Sequence, residues 1–167
     1  MKQLLILAIM KLMNPVFSQQ PASPVYPRVL TYMSIAHPIF TAFRDHTVFN
    51  FKESYTVGFP TGINILRSDH FGFSFEVIPF IKSESGVAKV SNLAIQPGLM
   101  TRFKNRWAVA TRMAFETIGR FGMNIVPSKT ILLTKPNNLF IAMPIPIRFG
   151  NGIGSSIGLT FQVGMTF

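Results

Sequence analysis

Five ionisable side chains in this chain have the types and spacing that could support chemistry. They are two carboxylates and three guanidinium groups: Glu76, Arg102, Arg112, Glu116 and Arg148. Each falls on the small or polar face of an alternating segment, so strands would turn all five toward one interior. Because an unpaired buried charge is costly, charges gathered there have to pair. The set predicts either a polar conduit for small solutes or protons, or an ion-pair network that fills the interior.

Histidine offers the other candidate chemistry. His46 follows Asp45 directly, but no spacing ties it to a particular serine. His37 and His70 form no metal-ligand motif with it, and neither a calcium loop nor a phosphate-binding glycine loop occurs in the chain. The sequence therefore predicts no enzyme, no metal site and no cofactor.

Composition narrows the class of protein. The chain has 167 residues, is 48% hydrophobic and only 13% charged, and contains 17 Phe. The net charge of +10 comes from scattered basic residues, whereas nucleic-acid-binding proteins cluster theirs on one face. We therefore expect no nucleic acid as partner and attribute the charge to an anionic membrane surface. The absence of Cys excludes disulfides and thiolate metal sites.

The first 18 residues predict a signal peptide. Lys2 precedes an apolar run over residues 4–10, and Val16 and Ser18 are small residues before a cleavage point near Ser18. Lys11 interrupts the run, and a short buried helix is the alternative. Residues 19–28 predict an irregular lead-in rich in Pro. No later run reaches the roughly 20 apolar residues of a membrane-spanning helix.

From residue 29 onward, apolar and polar residues alternate with a period of two, which predicts strands. The segments are 29–43 (weakly alternating), 49–66, 71–81, 93–103, 107–117, 129–134, 139–149 and 156–167. Residues 67–70 and 104–106 predict tight turns at one end, and residues 82–91 and 119–128 predict longer loops at the other. The domain organisation is then a signal peptide (1–18), a lead-in (19–28) and one eight-stranded β-barrel (29–167).

The two faces of the predicted strands differ in a way that favours a membrane. In the last strand the polar face consists of Ser, Gly, Thr and Gln without charge, which suits a narrow lumen rather than bulk water. Its apolar face needs no protein partner in lipid, and closure satisfies the backbone groups. The fold class predicted is a closed antiparallel transmembrane β-barrel.

Aromatic residues gather near the predicted tight turns. Phe71, Phe103, Trp107 and Phe167 would all lie at the end with the short turns, as an interfacial aromatic girdle does. Against this picture, five prolines fall inside predicted strands, where each removes a ladder hydrogen bond. We expect bulges or kinks at Pro60, Pro79, Pro97, Pro144 and Pro146.

The closing segment "GLTFQVGMTF" alternates without interruption and ends on Phe167. It resembles the C-terminal signature of Gram-negative outer-membrane barrels, and residues 29–167 resemble the eight-stranded OmpA/OmpX type. The resemblance implies that Phe161, Met165 and Phe167 assist insertion by the barrel-assembly machinery. It also implies contact with outer-membrane lipid and lipopolysaccharide, and localisation in the outer membrane.

The sequence thus predicts an integral outer-membrane barrel with a structural or interaction role, whose outer loops form the contact surface and could serve a larger envelope complex. Eight strands leave an interior barely wide enough for side chains, so we favour a lumen plugged by paired charges. Two alternatives remain open. One is a narrow channel for small solutes, and the other is a lipid A-modifying enzyme that uses His46.

Overall fold

The computed structural model of the chain describes residues 25–52, 54–134 and 136–167. Within these residues the chain is all-β, and its strands form one antiparallel sheet, which confirms that part of the predicted fold. The predicted signal peptide (1–18) and residues 19–24 of the lead-in lie outside the described residues. A single 3-10 turn, Lys104–Arg106, joins two strands.

Eleven strand segments make up the sheet. They are β1 (Arg28–Phe43), β2 (Thr47–Phe49), β3 (Tyr55–Gly58), β4 (Thr61–Leu66), β5 (Phe71–Glu84), β6 (Val87–Arg102), β7 (Trp107–Glu116), β8 (Arg120–Leu133), β9 (Asn138–Ala142), β10 (Ile145–Gly150) and β11 (Ser156–Thr166). From β4 to β9 each segment pairs with the next one along the chain, as do β1 with β2 and β10 with β11.

The pairings close into a ring of eight strands. Segments β2 to β4 share one position beside β1, and β9 and β10 share another between β8 and β11. The ring closes because β11 pairs with β1, from Thr166 opposite Tyr32 to Ser156 opposite Phe43. The weakly alternating segment 29–43 therefore forms one of the two longest strands, at 16 residues.

Two predicted loops are strands, and those predictions were wrong. Residues 82–91 continue β5 and β6, which meet at a turn where Ser85 (φ 51°) and Gly86 (φ 78°) adopt the left-handed region typical of tight hairpins. Polar residues on both faces there had hidden the period of two. Residues 120–128 belong to β8, whose alternation was obscured by glycines and by Pro127.

The in-strand prolines disturb the sheet at some positions only. Pro60 separates β3 from β4, and Pro144 separates β9 from β10. The register between β5 and β6 shifts after Phe80, one residue beyond Pro79. Pro97 and Pro146 show no register shift against β5 and β8, respectively, although the pairing of β6 with β7 is interrupted at Gln96 and Pro97.

Burial alternates along the strands, and even-numbered residues face the interior of the ring. In β11 the buried members are Ser156, Gly158, Thr160, Gln162 and Gly164, whereas Ile157, Phe161, Val163 and Met165 are exposed. The same parity holds in β5, β6 and β7. The ring thus encloses its buried charged and polar side chains together with a small apolar cluster, and it exposes many large apolar side chains on the outside, which is unusual for a water-soluble domain.

The ring has two distinct ends. The short-turn end carries the connections 67–70 and 103–106, the start of β1, the end of β8 and the end of β11. The hairpin end carries the connections 44–46, 85–86, 117–119 and 151–155, together with residues 50–52 and the start of β3. Strands β5 and β6 stay paired there beyond the end of β7, as far as Glu84 and Val87.

Ring closure can be tested by cross-linking, since the chain has no natural Cys. Ile35 and Val163 lie directly opposite on β1 and β11, and both are exposed. We expect Ile35→Cys/Val163→Cys to form a disulfide on mild oxidation, because directly paired strand residues fall within disulfide reach. The pair Ile35→Cys/Leu99→Cys is the control, with Leu99 on β6. Equal cross-linking of both pairs would contradict closure through β1 and β11.

Candidate functional site

The interior of the ring holds a buried ion pair between two members of the predicted charge set. Arg112 on β7 and Glu76 on β5 lie 3.0 Å apart from Nη1 to Oε1, with side-chain exposures of 5% and 2%. The Tyr32 hydroxyl on β1 donates to Glu76 Oε2 at 2.7 Å and accepts from Arg112 Nη2 at 3.1 Å. Ser74 accepts the remaining contact, from Arg112 Nε at 2.9 Å. Three strands of the ring are thereby tied together inside it.

A second buried pair lies closer to the hairpin end. Arg148 Nε on β10 donates to Glu116 Oε1 on β7 at 2.5 Å, and both side chains are less than 10% exposed. Arg148 also donates through Nη1 to the backbone carbonyls of Met123 and Ile147. This guanidinium therefore has both a countercharge and backbone acceptors, as a buried cation requires.

Neutral polar residues complete the interior layer. Asn124 donates to Gln96 at 3.0 Å, and Gln162 donates to Ser34 at 2.8 Å. All four are buried. Together with the two ion pairs they form what we call the interior network: Tyr32, Ser34, Ser74, Glu76, Gln96, Arg112, Glu116, Asn124, Arg148 and Gln162.

Glycines on the intervening strands let these side chains reach their partners. Gly98 on β6 lies in register between Ser74 and Arg112, and a Cβ there would lie 2.5 Å from Arg112 Cα. Gly62 on β4 lies in register between Tyr32 and Glu76, and a Cβ there would overlap the Tyr32 ring. The space that these glycines leave explains why small residues lie between the charged ones on the inward face of the sheet.

Arg102 lies apart from the other predicted network members. It is the last residue of β6, half-buried at the short-turn end, and forms no ion pair with a carboxylate of the described residues. Water reaches this mouth of the ring, so Arg102 does not require an internal countercharge. Arg102 therefore lies at the rim of a cavity and not, as expected, in an ion pair inside the lumen.

Two cavities flank the interior network. One, of about 210 Å³, opens at the short-turn end and reaches Glu76 and Arg112 at its floor. The other, of about 290 Å³, lies toward the hairpin end and is lined by Glu116, Arg148 and Arg120 among others. Residues of the interior network line both cavities, with Glu76 and Arg112 at the first and Glu116 and Arg148 at the second.

Arg120 is a buried cation that the sequence analysis missed. It lies in the segment predicted as a loop, and its Nη2 donates to Ser156 Oγ at 2.9 Å and to the Gly154 carbonyl at 3.3 Å. Its guanidinium also lies 5.8 Å from the centroid of the Phe43 ring. The even parity of β8 would have placed Arg120 inside, had that strand been recognised. Tyr32 was missed for a similar reason, since it lies in the weakly alternating segment.

The predicted girdle residues all lie at the short-turn end and are exposed: Phe71 (39%), Phe103 (54%), Trp107 (46%) and Phe167 (49%). Lys129 Nζ lies 5.1 Å from the centroid of the Trp107 ring, a cation–π contact. Phe161 and Met165, which the sequence predicts to assist insertion, are exposed too. The backbone N–H of Phe167 donates to the carbonyl of Thr31 at 2.9 Å, so the final residue extends the ladder to β1.

The three histidines do not converge. His46 lies at the hairpin end, where its ring contacts Asp45 at 2.8 Å and stacks on Phe43. The hydrogen bond from His46 holds the pKa of Asp45 below its usual value. His37 contacts Tyr55, and His70 lies in a turn at the opposite end. In the part of the chain that the structure describes, no three His, Asp or Glu side chains gather as a metal site would require.

Neither protein-family models nor curated proteins match this chain. Over the described residues, no helix has the length and apolar character needed to span a membrane.

The buried pair yields a stability prediction. Glu76→Gln leaves the Arg112 guanidinium without a countercharge, and we expect it to lower the free energy of unfolding by about 3–5 kcal/mol. The matched control is Glu84→Gln, which removes an exposed carboxylate paired with Lys82 and should cause no measurable change. Urea unfolding of both variants, followed by Trp fluorescence, gives the comparison. Equal stability of the two variants would contradict the structural role assigned to the pair.

Proposed function

We propose that this chain is an integral outer-membrane β-barrel protein with a structural or interaction role, whose lumen is plugged by the interior network. In this proposal the ring of eight strands is the barrel wall. The short-turn end faces the periplasm, and the hairpin end faces outward.

The observation that carries the proposal is the inverted polarity of the ring. Met113, Phe115 and Phe73 point outward and are each about half exposed, whereas Glu76 and Arg112 point inward and are at most 4% exposed. Soluble monomers rarely expose contiguous apolar patches larger than a few hundred Å². Here every long strand exposes large apolar side chains. Lipid is the environment in which such an exterior is stable, and ring closure leaves no sheet edge in it.

Strand length and the residues at the short-turn end support the same conclusion. A tilted strand crosses the bilayer core with about 9–11 residues. β7 has 10 residues and β11 has 11. Trp107 with Lys129 over its ring resembles the aromatic and basic residues that anchor proteins at a membrane interface.

The interior favours a plugged barrel over a channel. Ion pairs and amide hydrogen bonds span the ring between the two cavities, and eight-stranded interiors are just wide enough for side chains to fill. The hairpin end offers a contact surface, because Phe51, Val87 and Val90 are each more than 60% exposed there. A role in contacting another envelope component follows more readily from these features than solute transport.

Membrane insertion makes a depth-dependent prediction. Met113 lies on the outward face of β7, well within the strand, whereas Val87 lies at the tip of the β5–β6 hairpin. Met113→Arg should cost about 2–4 kcal/mol of stability in lipid vesicles, the typical cost of Arg near the bilayer midplane. Val87→Arg should have little effect, since that tip lies in water. If Met113→Arg is as stable as Val87→Arg in urea unfolding from vesicles, the exterior does not face lipid.

The plugged lumen is tested by electrical recording. Pure protein in a planar bilayer should give no steady conductance steps, because the interior network blocks the passage. Arg112→Ala, which removes the central guanidinium, is the comparison variant and should admit ions if it folds. Regular ohmic steps from the wild-type protein would favour the narrow channel and would overturn the plugged barrel.

A further inference from the structure

The cavity at the short-turn end combines a basic rim with walls that are apolar in part. Arg28, Arg102 and Arg106 line its mouth, and Arg102 has no ion-pair partner among the described carboxylates. One carboxylate, Asp69, lies nearby and accepts a hydrogen bond from the Tyr26 hydroxyl, which raises the pKa of Tyr26. The rim therefore keeps a net positive charge in water.

Below the rim, one part of the wall is apolar and the rest is formed by neutral polar side chains such as Asn64, Ser128 and Gln162. The apolar part consists of Leu30, Met100, Ala108, Ala110, Val126 and Phe140. Met100, Ala110 and Val126 belong to the hydrophobic core of the ring interior, and the other three pack against it. At the floor, Glu76, Arg112 and Tyr32 satisfy one another, so the floor presents no free charge to a ligand.

We infer that this cavity binds an amphipathic anion, an alkyl chain of medium length that ends in a carboxylate. The carboxylate lies at the rim, where Arg102 and Arg106 donate hydrogen bonds to it, and the chain lies against the apolar part of the wall. Bidentate pairing with carboxylates is a property of Arg, and charge-assisted hydrogen bonds are the stronger kind. The inference concerns the ring interior, so it holds independently of the proposed membrane location.

The volume of the cavity limits the length of the alkyl chain that it can hold. An apolar protein cavity of about 150 Å³ accommodates benzene, which has six carbons. A cavity of about 210 Å³ therefore suits a chain of roughly eight carbons. Each CH₂ group buried up to that length should raise affinity about fourfold. Beyond about ten carbons the gain should stop, because the chain meets the closed floor.

The test is a titration of the purified full chain with sodium octanoate, followed by the fluorescence of Trp107. This residue is the only Trp in the chain and lies at the cavity mouth. We expect saturable binding of octanoate, at least tenfold weaker binding of 1-octanol, and no response to acetate. If 1-octanol bound as tightly as octanoate, the fluorescence response would report only partition of an apolar chain. If acetate bound as tightly, the response would report only an anion site. Either result overturns the inference.

Two sets of variants test where octanoate binds, one at the basic rim and one in the cavity below it. Arg102→Gln/Arg106→Gln should weaken octanoate binding at least tenfold, whereas Lys82→Gln/Lys89→Gln removes the same charge at the hairpin end and should leave it unchanged. Ala110→Leu should abolish binding by filling the cavity, and Ala108→Leu repeats the test nearer the mouth if the first variant fails to fold. An equal loss of octanoate affinity in both charge variants would contradict binding at this cavity. Undiminished binding by Ala110→Leu or Ala108→Leu would contradict it as well.

Discussion

The need to neutralise charge inside a closed ring is the constraint on which the rest of this structure depends. Glu76 and Arg112 are almost completely removed from solvent, so each requires the other. Their strands, β5 and β7, are not neighbours in the sheet, and Tyr32 adds β1 to the same group. A hydrogen-bonded group of this kind can form only when strand order and register are correct. The interior network therefore selects one arrangement of the ring as well as filling it.

The small residues of the inward face follow from the same constraint. For a side chain to reach a partner two strands away, the strand between them must leave room above its backbone. Gly98 provides this room for Arg112, and Gly122, which lies in register with Arg148, provides it for the second pair. The glycines are therefore the steric counterpart of the charged residues. An alanine at Gly98 or Gly122 would clash with the neighbouring strand.

Sequence patterning predicted the architecture because burial in this fold follows a period of two. Parity alone placed Glu76, Arg112 and Arg148 inside, and the last strand read correctly along its whole length. Parity could not identify which charged residues pair with each other, because that depends on the register between strands that are far apart in the sequence. Arg112 and Glu116 lie four residues apart on β7, yet each pairs with a residue of a different strand. The first part of strand β8 escaped recognition because its inward Gly122 and Asn124 are typical of turns, whereas the predicted strand 129–134 is the second part of β8, which ends at Leu133.

The ring encloses two ion pairs and exposes many large apolar side chains, and we propose that this exterior faces lipid. Trp107 permits a direct measurement by fluorescence quenching in vesicles of phospholipids brominated at defined depths. Bromine near the headgroups should quench Trp107 most strongly. In the variant Trp107→Phe/Met113→Trp, the tryptophan lies further along β7, and bromine near the midplane should quench it most strongly. Absence of quenching at every depth in both proteins would contradict the account.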